Sequence, residues 1–289
     1  MRIYAPAKLN LCLFLGRRRA DGLHSLCSLF EPLALSDAIE VSEAERDEVV
    51  CPGVEGENLA AKALAGLRER GWDGPPLRIV IVKRIPIAAG LGGGSADAAA
   101  VLRLAQGVGA AGDLEGLGAG AIDDLQGLAA EIGADVPSQL VPALALVQGG
   151  GERVERLPPP PPHALVLLPG GGGLSTPEVF AEADRLGLGR GEDELEDLAV
   201  RLRDAAGAGA LPLASADLLA NDLEPAARSL RPDIADALDA LREAGAPLAL
   251  LTGSGPTAVG FFHTLMGAKR AAARLDRDDA IVCEAGWAP

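Results

Sequence analysis

Aromatic side chains make up only 3% of this 289-residue sequence, so its core must be assembled from leucine, valine, isoleucine and alanine. Even so, 48% hydrophobic and 23% charged content is ordinary for a soluble globular protein, and the length suits one or two domains. Lysine is scarce too: Lys8, Lys62, Lys83 and Lys269 are the only four among 26 basic residues. Arginine and lysine are not interchangeable, so each retained lysine is informative. Positive charge is deficient overall. A net charge of −15 argues against a nucleic-acid or anionic-membrane partner, though not against a small anion held in one local pocket. The cysteines Cys12, Cys27, Cys51 and Cys283 form no CxxC pair and have no histidine at metal-ligand spacing, which reads as reduced thiols in a cytoplasmic protein. No apolar run approaches the ~18–20 residues of a membrane helix. The run over 9–15, between Lys8 and the Gly16-Arg17-Arg18-Arg19 segment, is too short and oddly flanked for a signal peptide.

What the chain does have is a glycine-rich stretch over 78–105. Ile79, Val80, Ile81 and Val82 read as a strand, Pro86 ends it, and Gly90, Gly92, Gly93 and Gly94 lead through Ser95 into an alanine-rich helix. A strand, a glycine turn and a helix N-terminus together suit phosphate: backbone N–H groups can crowd the ligand and the helix dipole favours the anion. Ser95 is expected as the N-cap and Asp97 as a first-turn acid. The spelling excludes commoner loops. A Walker A loop would follow glycine with lysine, a dinucleotide fingerprint would want glycine or alanine at Ser95, and a hydrolase elbow would want glycine at Asp97.

In chain order, residues 3–15 read as one or two strands with Leu9, Leu11, Leu13 and Leu15 on one face and Lys8 and Asn10 in the polar phase. Lys8 is then either a solvated strand lysine or an ammonium pointing into an anion site. A charged Asp-Gly turn leads to His24, and a lone histidine is usually structural. Residues 34–50 give a polar loop and strands with a solvated acidic face, and 58–70 a helix ended by Gly71. Residues 107–120 look like a loose connection, 124–132 a helix, and 143–147 a strand. Asp135, before Val136-Pro137, is either a turn aspartate or a carboxylate held rigidly enough to accept a proton. Three glycines from Gly149 and five prolines from Pro158 mark a boundary, giving domains 1–157 and 158–289. Beyond it come a strand at 164–168, a helix opened by Thr176-Pro177, partly helical acidic sequence over 184–212, a cap at Asn221, a helix at 233–244, strands at 248–251 and 258–262, a helix at 267–275 and a strand at 280–283. Strands and helices alternate in both halves, as in an α+β protein with mixed sheets.

Seven motifs occur in one order: Pro6-Ala7-Lys8-Leu9-Asn10, Arg19-Ala20-Asp21-Gly22-Leu23-His24, the run Pro86-Ile87-Ala88-Ala89-Gly90-Leu91-Gly92-Gly93-Gly94-Ser95-Ala96-Asp97, Gly133-Ala134-Asp135-Val136-Pro137, Ser175-Thr176-Pro177-Glu178-Val179-Phe180, Asn221-Asp222-Leu223-Glu224-Pro225 and Leu251-Thr252-Gly253-Ser254-Gly255. Over nearly the whole chain they resemble the small-molecule kinases related to galactokinase, homoserine kinase and mevalonate kinase. Among these they are most similar to the branch whose acceptor is a cytidyl-linked methylerythritol of the non-mevalonate isoprenoid route.

The resemblance implies a two-domain α+β small-molecule kinase fold, with a ribosomal-protein-like ATP-binding domain first and a ferredoxin-like domain second. It implies phosphotransfer from ATP, with Mg²⁺, to the acceptor's 2-hydroxyl. By position, Lys8 and Asp135 match the catalytic pair. Pro86, Ile87, Ala88, Ala89, Gly90, Leu91, Gly92, Gly93, Gly94, Ser95 and Ala96 match the ATP loop, with Ser95 also a ligand for Mg²⁺. Asn10, His24, Lys83 and Phe180 match substrate-binding positions. The expected partners are the cytidyl substrate and ATP, with no nucleic acid and no membrane, in a monomer or homodimer. Two departures stand out: Leu23 replaces a usual tyrosine, and Ser138-Gln139 and Val141-Pro142 replace a more usual aromatic and glycine-rich run. A sister kinase for homoserine or a mevalonate derivative, or a catalytically silent nucleotide-binding member, are the alternatives.

Overall fold

Two hydrogen-bonded sheets organise the chain in a computed structural model that describes residues 1–20, 22–106, 108–109, 112–113 and 124–287. The first is built on two long strands, β1 (Arg2–Arg18) and β2 (His24–Glu43), paired antiparallel along most of their length. The polar loop expected within 34–50 is confined to residues 44–47, because β2 continues to Glu43 and the next strand starts at Glu48. On the other edge of β2, β4 (Leu77–Val82) pairs at one end and β7 (Ala145–Gly149) at the other, with β3 (Glu48–Val50) and β8 (Arg153–Arg156) outermost. Helices α1 (Leu59–Glu69), α2 (Gly93–Leu104), α3 (Leu125–Ile132) and α4 (Val136–Gln139) belong to this half. Local signals explain their starts: Asn58 and Asp124 cap α1 and α3 through side-chain oxygens that accept backbone N–H groups. A short ribbon, β5 (Val108–Gly109) with β6 (Gly112–Asp113), follows α2. Asp21 and most of the expected loose connection over 107–120 lie outside the described residues.

One expectation is corrected. Leu9 and Leu11 join one core cluster, whereas Leu13 and Leu15 join another. The register of β1 on β2 shifts between Asn10 and Cys12, which inserts Leu11 as an extra residue and reverses the alternation beyond it. Cys12 and Phe14 therefore continue the face that Leu9 began.

The second sheet has order β10-β11-β9-β12, formed by β9 (Ala164–Leu168), β10 (Leu248–Leu251), β11 (Ala258–Phe262) and β12 (Ile281–Glu284), all antiparallel. In sequence order that is 2-3-1-4, the ferredoxin-like arrangement. Between β9 and β10 run α5 (Thr176–Leu186), α6 (Glu192–Gly207), a 3₁₀ turn, α7 (Glu224–Leu230) and α8 (Asp233–Glu243), and α9 (Leu265–Ala272) precedes β12.

The two halves share a core. Ala164, Val166 and Leu168 pack with α8 and α9 residues, while Leu165 and Leu167 face the other way, onto Leu9, Leu11, Leu29 and Leu33. Helix α6 contributes Leu195, Leu198 and Leu202 to that shared cluster. At ~1.5–3 kcal/mol per buried aliphatic side chain, such a layer compensates for missing aromatics by number.

Inside this layer Glu31 of β2 and His163, just before β9, are 1% and 2% exposed as side chains, with Nε2 and Oε2 3.2 Å apart. The contact is an ion pair without hydrogen-bond alignment, since neither group has another hydrogen bond at those atoms. Burial alone would lower the His163 pKa, but Glu31's contact and charge together outweigh it and raise it above the ordinary 6.5. The resulting stabilisation is fully present below pH 6.5 and is lost as pH rises through the raised value. The urea midpoint should therefore fall as pH rises above 6.5, and fall less steeply in His163→Gln. Equal slopes in the two proteins would contradict the role of this pair.

Candidate active site

Val82 ends β4, and the chain turns through the glycine loop into α2. The N-cap is Gly92, not Ser95: Gly92 is left-handed at φ +67°, and the first ladder bond runs from the Ala96 N–H to the Gly92 carbonyl at 2.8 Å. Ser95 thus lies within the first turn, and the N–H groups of residues 93–95 precede the ladder. A Cβ on Gly92 would come 2.8 Å from Lys8 Cγ, so glycine is needed both for φ and for close approach to that side chain. The Lys8 N–H reinforces the contact by donating to the Leu91 carbonyl at 3.0 Å.

Lys8 is buried, and its ammonium is fully engaged. Nζ lies 3.1 Å from Asp135 Oδ2, donates to Asn10 Oδ1 at 2.8 Å and sits 4.4 Å above the Phe30 ring. Asp135, at the start of α4, keeps a third of its side chain exposed, so the pair opens on one side. Asn10 is held in turn: Nδ2 donates to Ser28 Oγ at 2.8 Å, Ser28 Oγ donates to the Cys12 carbonyl at 2.5 Å, and the Asn10 N–H donates to Thr252 Oγ1 at 2.7 Å. The segment bearing Thr252 comes from the second sheet and closes onto the glycine loop. Thr257 Oγ1 donates to the Ala89 carbonyl at 2.6 Å, and Asn221 Nδ2 donates to the carbonyls of Leu251 and Gly253 at 2.7 Å.

Lys8, Asn10, Phe30 and Asp135 line a cleft of about 580 Å³, together with Gly90, Gly92 and Gly253. At its other end His24 and Phe180 stand with ring centroids 5.3 Å apart, and Leu23 is 58% exposed at the rim. His24 Nε2 lies 2.8 Å from Asp184 Oδ1.

Of the expected site residues, Lys8, Asn10, His24, Asp135 and Phe180 thus come together in one cleft. Within the loop run only Gly90 and Gly92 reach the cleft wall; Ala89 and Leu91 are buried in the shared core and Ala96 in the α1/α2 core, where they anchor the turn. Lys83, expected at the substrate site, is not among the residues lining this cleft. It ion-pairs with Asp37 and donates to Asp97 Oδ2 at 2.8 Å, beneath α2 and away from the cleft lining. Asp37 also accepts the N–H groups of Arg84 and Ile85 at 2.6 and 2.9 Å, so this cluster shapes the turn after β4. Asp97 accordingly faces inward rather than serving the helix dipole, and burial pushes its carboxyl up to about 7 despite the neighbouring Lys83 charge. Asp184 was not anticipated. Its signal was the helical spacing that places it four positions past Phe180, on the same face of α5.

Comparison with known proteins agrees with this architecture. Family models for the GHMP kinases N terminal domain and the GHMP kinases C terminal region match residues 58–142 and 196–280. A relative from Thermobifida fusca is 38% identical over 288 residues, covering 94% of this chain and 90% of its own. The chain belongs to the GHMP kinase family. That relative is named 4-diphosphocytidyl-2-C-methyl-D-erythritol kinase, as is one from Streptomyces avermitilis that is 38% identical, covering 88% of this chain and 85% of that protein. A crystal structure of 4-(cytidine 5'-diphospho)-2C-methyl-D-erythritol kinase superposes with a TM-score of 0.80 at 33% identity, covering 99% of this chain and 100% of the other. Homoserine kinase from Cytophaga hutchinsonii shares the fold, with a TM-score of 0.68 at 16% identity over 100% and 94% of the two chains. The resemblance in the ordered motifs is borne out, and GHMP kinases are ATP-dependent phosphotransferases that act on hydroxyl groups.

Gly92→Ala in this GHMP kinase forces both a strained φ and a clash with the Lys8 stem. It should lower stability by about 1–3 kcal/mol in urea denaturation. A change below about 0.5 kcal/mol would mean that the loop yields freely.

Proposed function

We propose that this GHMP kinase transfers the γ-phosphoryl group of ATP to the 2-hydroxyl of 4-diphosphocytidyl-2-C-methyl-D-erythritol. The observation that carries the reading is the Lys8–Asp135 pair, 3.1 Å apart, opening into a cleft walled by the glycine loop. Relatives of 36–40% identity bearing that enzyme's name support the acceptor.

In this reading Asp135 accepts the proton of the attacking hydroxyl or orients it. Lys8 pairs with Asp135 and stabilises charge on the phosphoryl group in flight, while Asn10 fixes the ammonium's direction. The N–H groups at the start of α2 and the loop glycines hold the phosphates. Among the described residues no three His, Cys, Asp or Glu side chains gather to hold a metal ion. Were Mg²⁺ bound, the Ser95 hydroxyl in the first turn of α2 is the oxygen this chain would offer it, a hard ligand of the kind that ion takes. When bound it would neutralise phosphate charge.

At the far end of the cleft, the tilted rings of His24 and Phe180 would receive cytosine, with Leu23 covering it from the rim by apolar contact alone. We assign residues 1–157 to ATP binding and catalysis and 158–289 to the substrate-side domain. No helix among the described residues is long and apolar enough to cross a membrane. With four free cysteines, the cytoplasm is the compartment that suits the chain.

The test is turnover of ATP with the cytidyl acceptor, homoserine and mevalonate in parallel. Activity confined to the last two would overturn the acceptor assignment. Asp135→Asn and Lys8→Met should each lower kcat by roughly 10²–10⁴-fold, with ATP binding retained and circular dichroism unchanged. Near-normal turnover in either would remove that residue from the chemistry.

A further inference from the structure

Behind the cleft lies an arginine without a counter-ion. Arg103 of α2 is 8% exposed, and no carboxylate pairs with it among the described residues. Nη1 donates to the Gln139 carbonyl at 2.8 Å and Nη2 to the Tyr4 carbonyl at 3.0 Å. Desolvation lowers its pKa to about 10, as expected of a cation taken out of water and met only by dipoles. Burying such a group is costly, and a hydrocarbon of similar size would fill the space without that cost. A guanidinium differs from a hydrocarbon in its rigid fork of donors, which can hold two carbonyls at a set separation.

Those two carbonyls belong to the segments that meet in the site. Tyr4 lies on β1 upstream of Lys8, and Gln139 is the last residue of α4, the helix that starts beside Asp135. Arg103 itself rides on α2, whose N-cap is Gly92 of the glycine loop. Helix α4 spans only 4 residues, so its own ladder contributes little rigidity and its terminal carbonyls need outside donors. Arg156 of β8 supplies one to the Ser138 carbonyl at 3.0 Å, and Ser138 Oγ donates back to the Asp135 carbonyl at 2.7 Å.

We propose that Arg103 is a positioning residue that sets Asp135 opposite Lys8, by tying the end of α4 to β1 and to the helix of the glycine loop. The proposal rests on Asp135 serving the phosphoryl transfer. Arg103 touches no substrate; it acts through the backbone that carries the carboxylate. Lysine would keep the charge yet replace two forked nitrogens by one.

The experiment is a double-mutant cycle read with radiolabelled ATP, which resolves residual turnover. Arg103→Lys should lower kcat by about tenfold, and Arg103→Met by more, with KM for ATP and for the acceptor within about threefold of the parent. In the Asp135→Asn background Arg103→Lys should change the residual rate by less than about twofold, because the group it positions is already gone. An equal loss in both backgrounds, a loss confined to KM, or an unfolded Arg103→Lys by circular dichroism would each overturn the proposal and make Arg103 a general structural element. Near-normal kcat in Asp135→Asn alone would instead overturn the reading of Asp135, and this proposal with it.

Discussion

Strand β1 has to serve three cores and a cleft with a single backbone, and the rest of the molecule depends on how it does so. Up to Asn10 its alternation sends Leu9 into the layer shared by the two sheets and turns Lys8 and Asn10 toward the cleft. The extra residue at Leu11 then reverses the phase, so Leu13 and Leu15 reach the core of the ferredoxin-like half. Without that reversal the same strand would bury its polar residues on one side or expose its leucines on the other. The bulge lets one strand couple the two halves while presenting an ammonium and an amide at their junction.

Around that strand the buried cations have separate duties. Lys8 meets one carboxylate, one amide oxygen and one ring face, leaving its charge directed at the open side of Asp135. Lys83 is surrounded by Asp37 and Asp97 and spends its charge on the turn that launches the glycine loop. Arg103 meets only carbonyls and joins three segments of backbone. The chemistry of each head group matches its place: a compact ammonium where charge must be concentrated, a fork where two acceptors must be held apart.

Much of this was legible in particular residues. The strand, glycine turn and helix over 78–105 followed from β-branched and glycine patterning, and helices were legible over 58–70 and 124–132. The ordered motifs pointed to the GHMP kinases and, through them, to Lys8, Asn10, His24, Asp135 and Phe180, which do share a cleft. Ser95 was misread because serine before an alanine run is a common N-cap, whereas here the required φ and the contact with Lys8 select Gly92. Lys83 lies outside the cleft lining, paired with Asp37 and Asp97. Of those carboxylates Asp37 is remote in sequence, on β2, and carries no local mark.

By itself the sequence determined the elements whose causes are short-ranged: caps, glycine turns, apolar periods and the motif order that names the family. Tertiary structure decided which of those elements meet. Lys8 reaches Asp135 only because β1 passes the start of α4, and Thr252 reaches Asn10 only because the second sheet packs onto the first. Such contacts depend on a one-residue shift in strand register and on the packing of a shared leucine layer. Neither leaves a signature within a window of neighbouring residues, because side-chain direction along β1 follows from its pairing with β2 and not from its own composition.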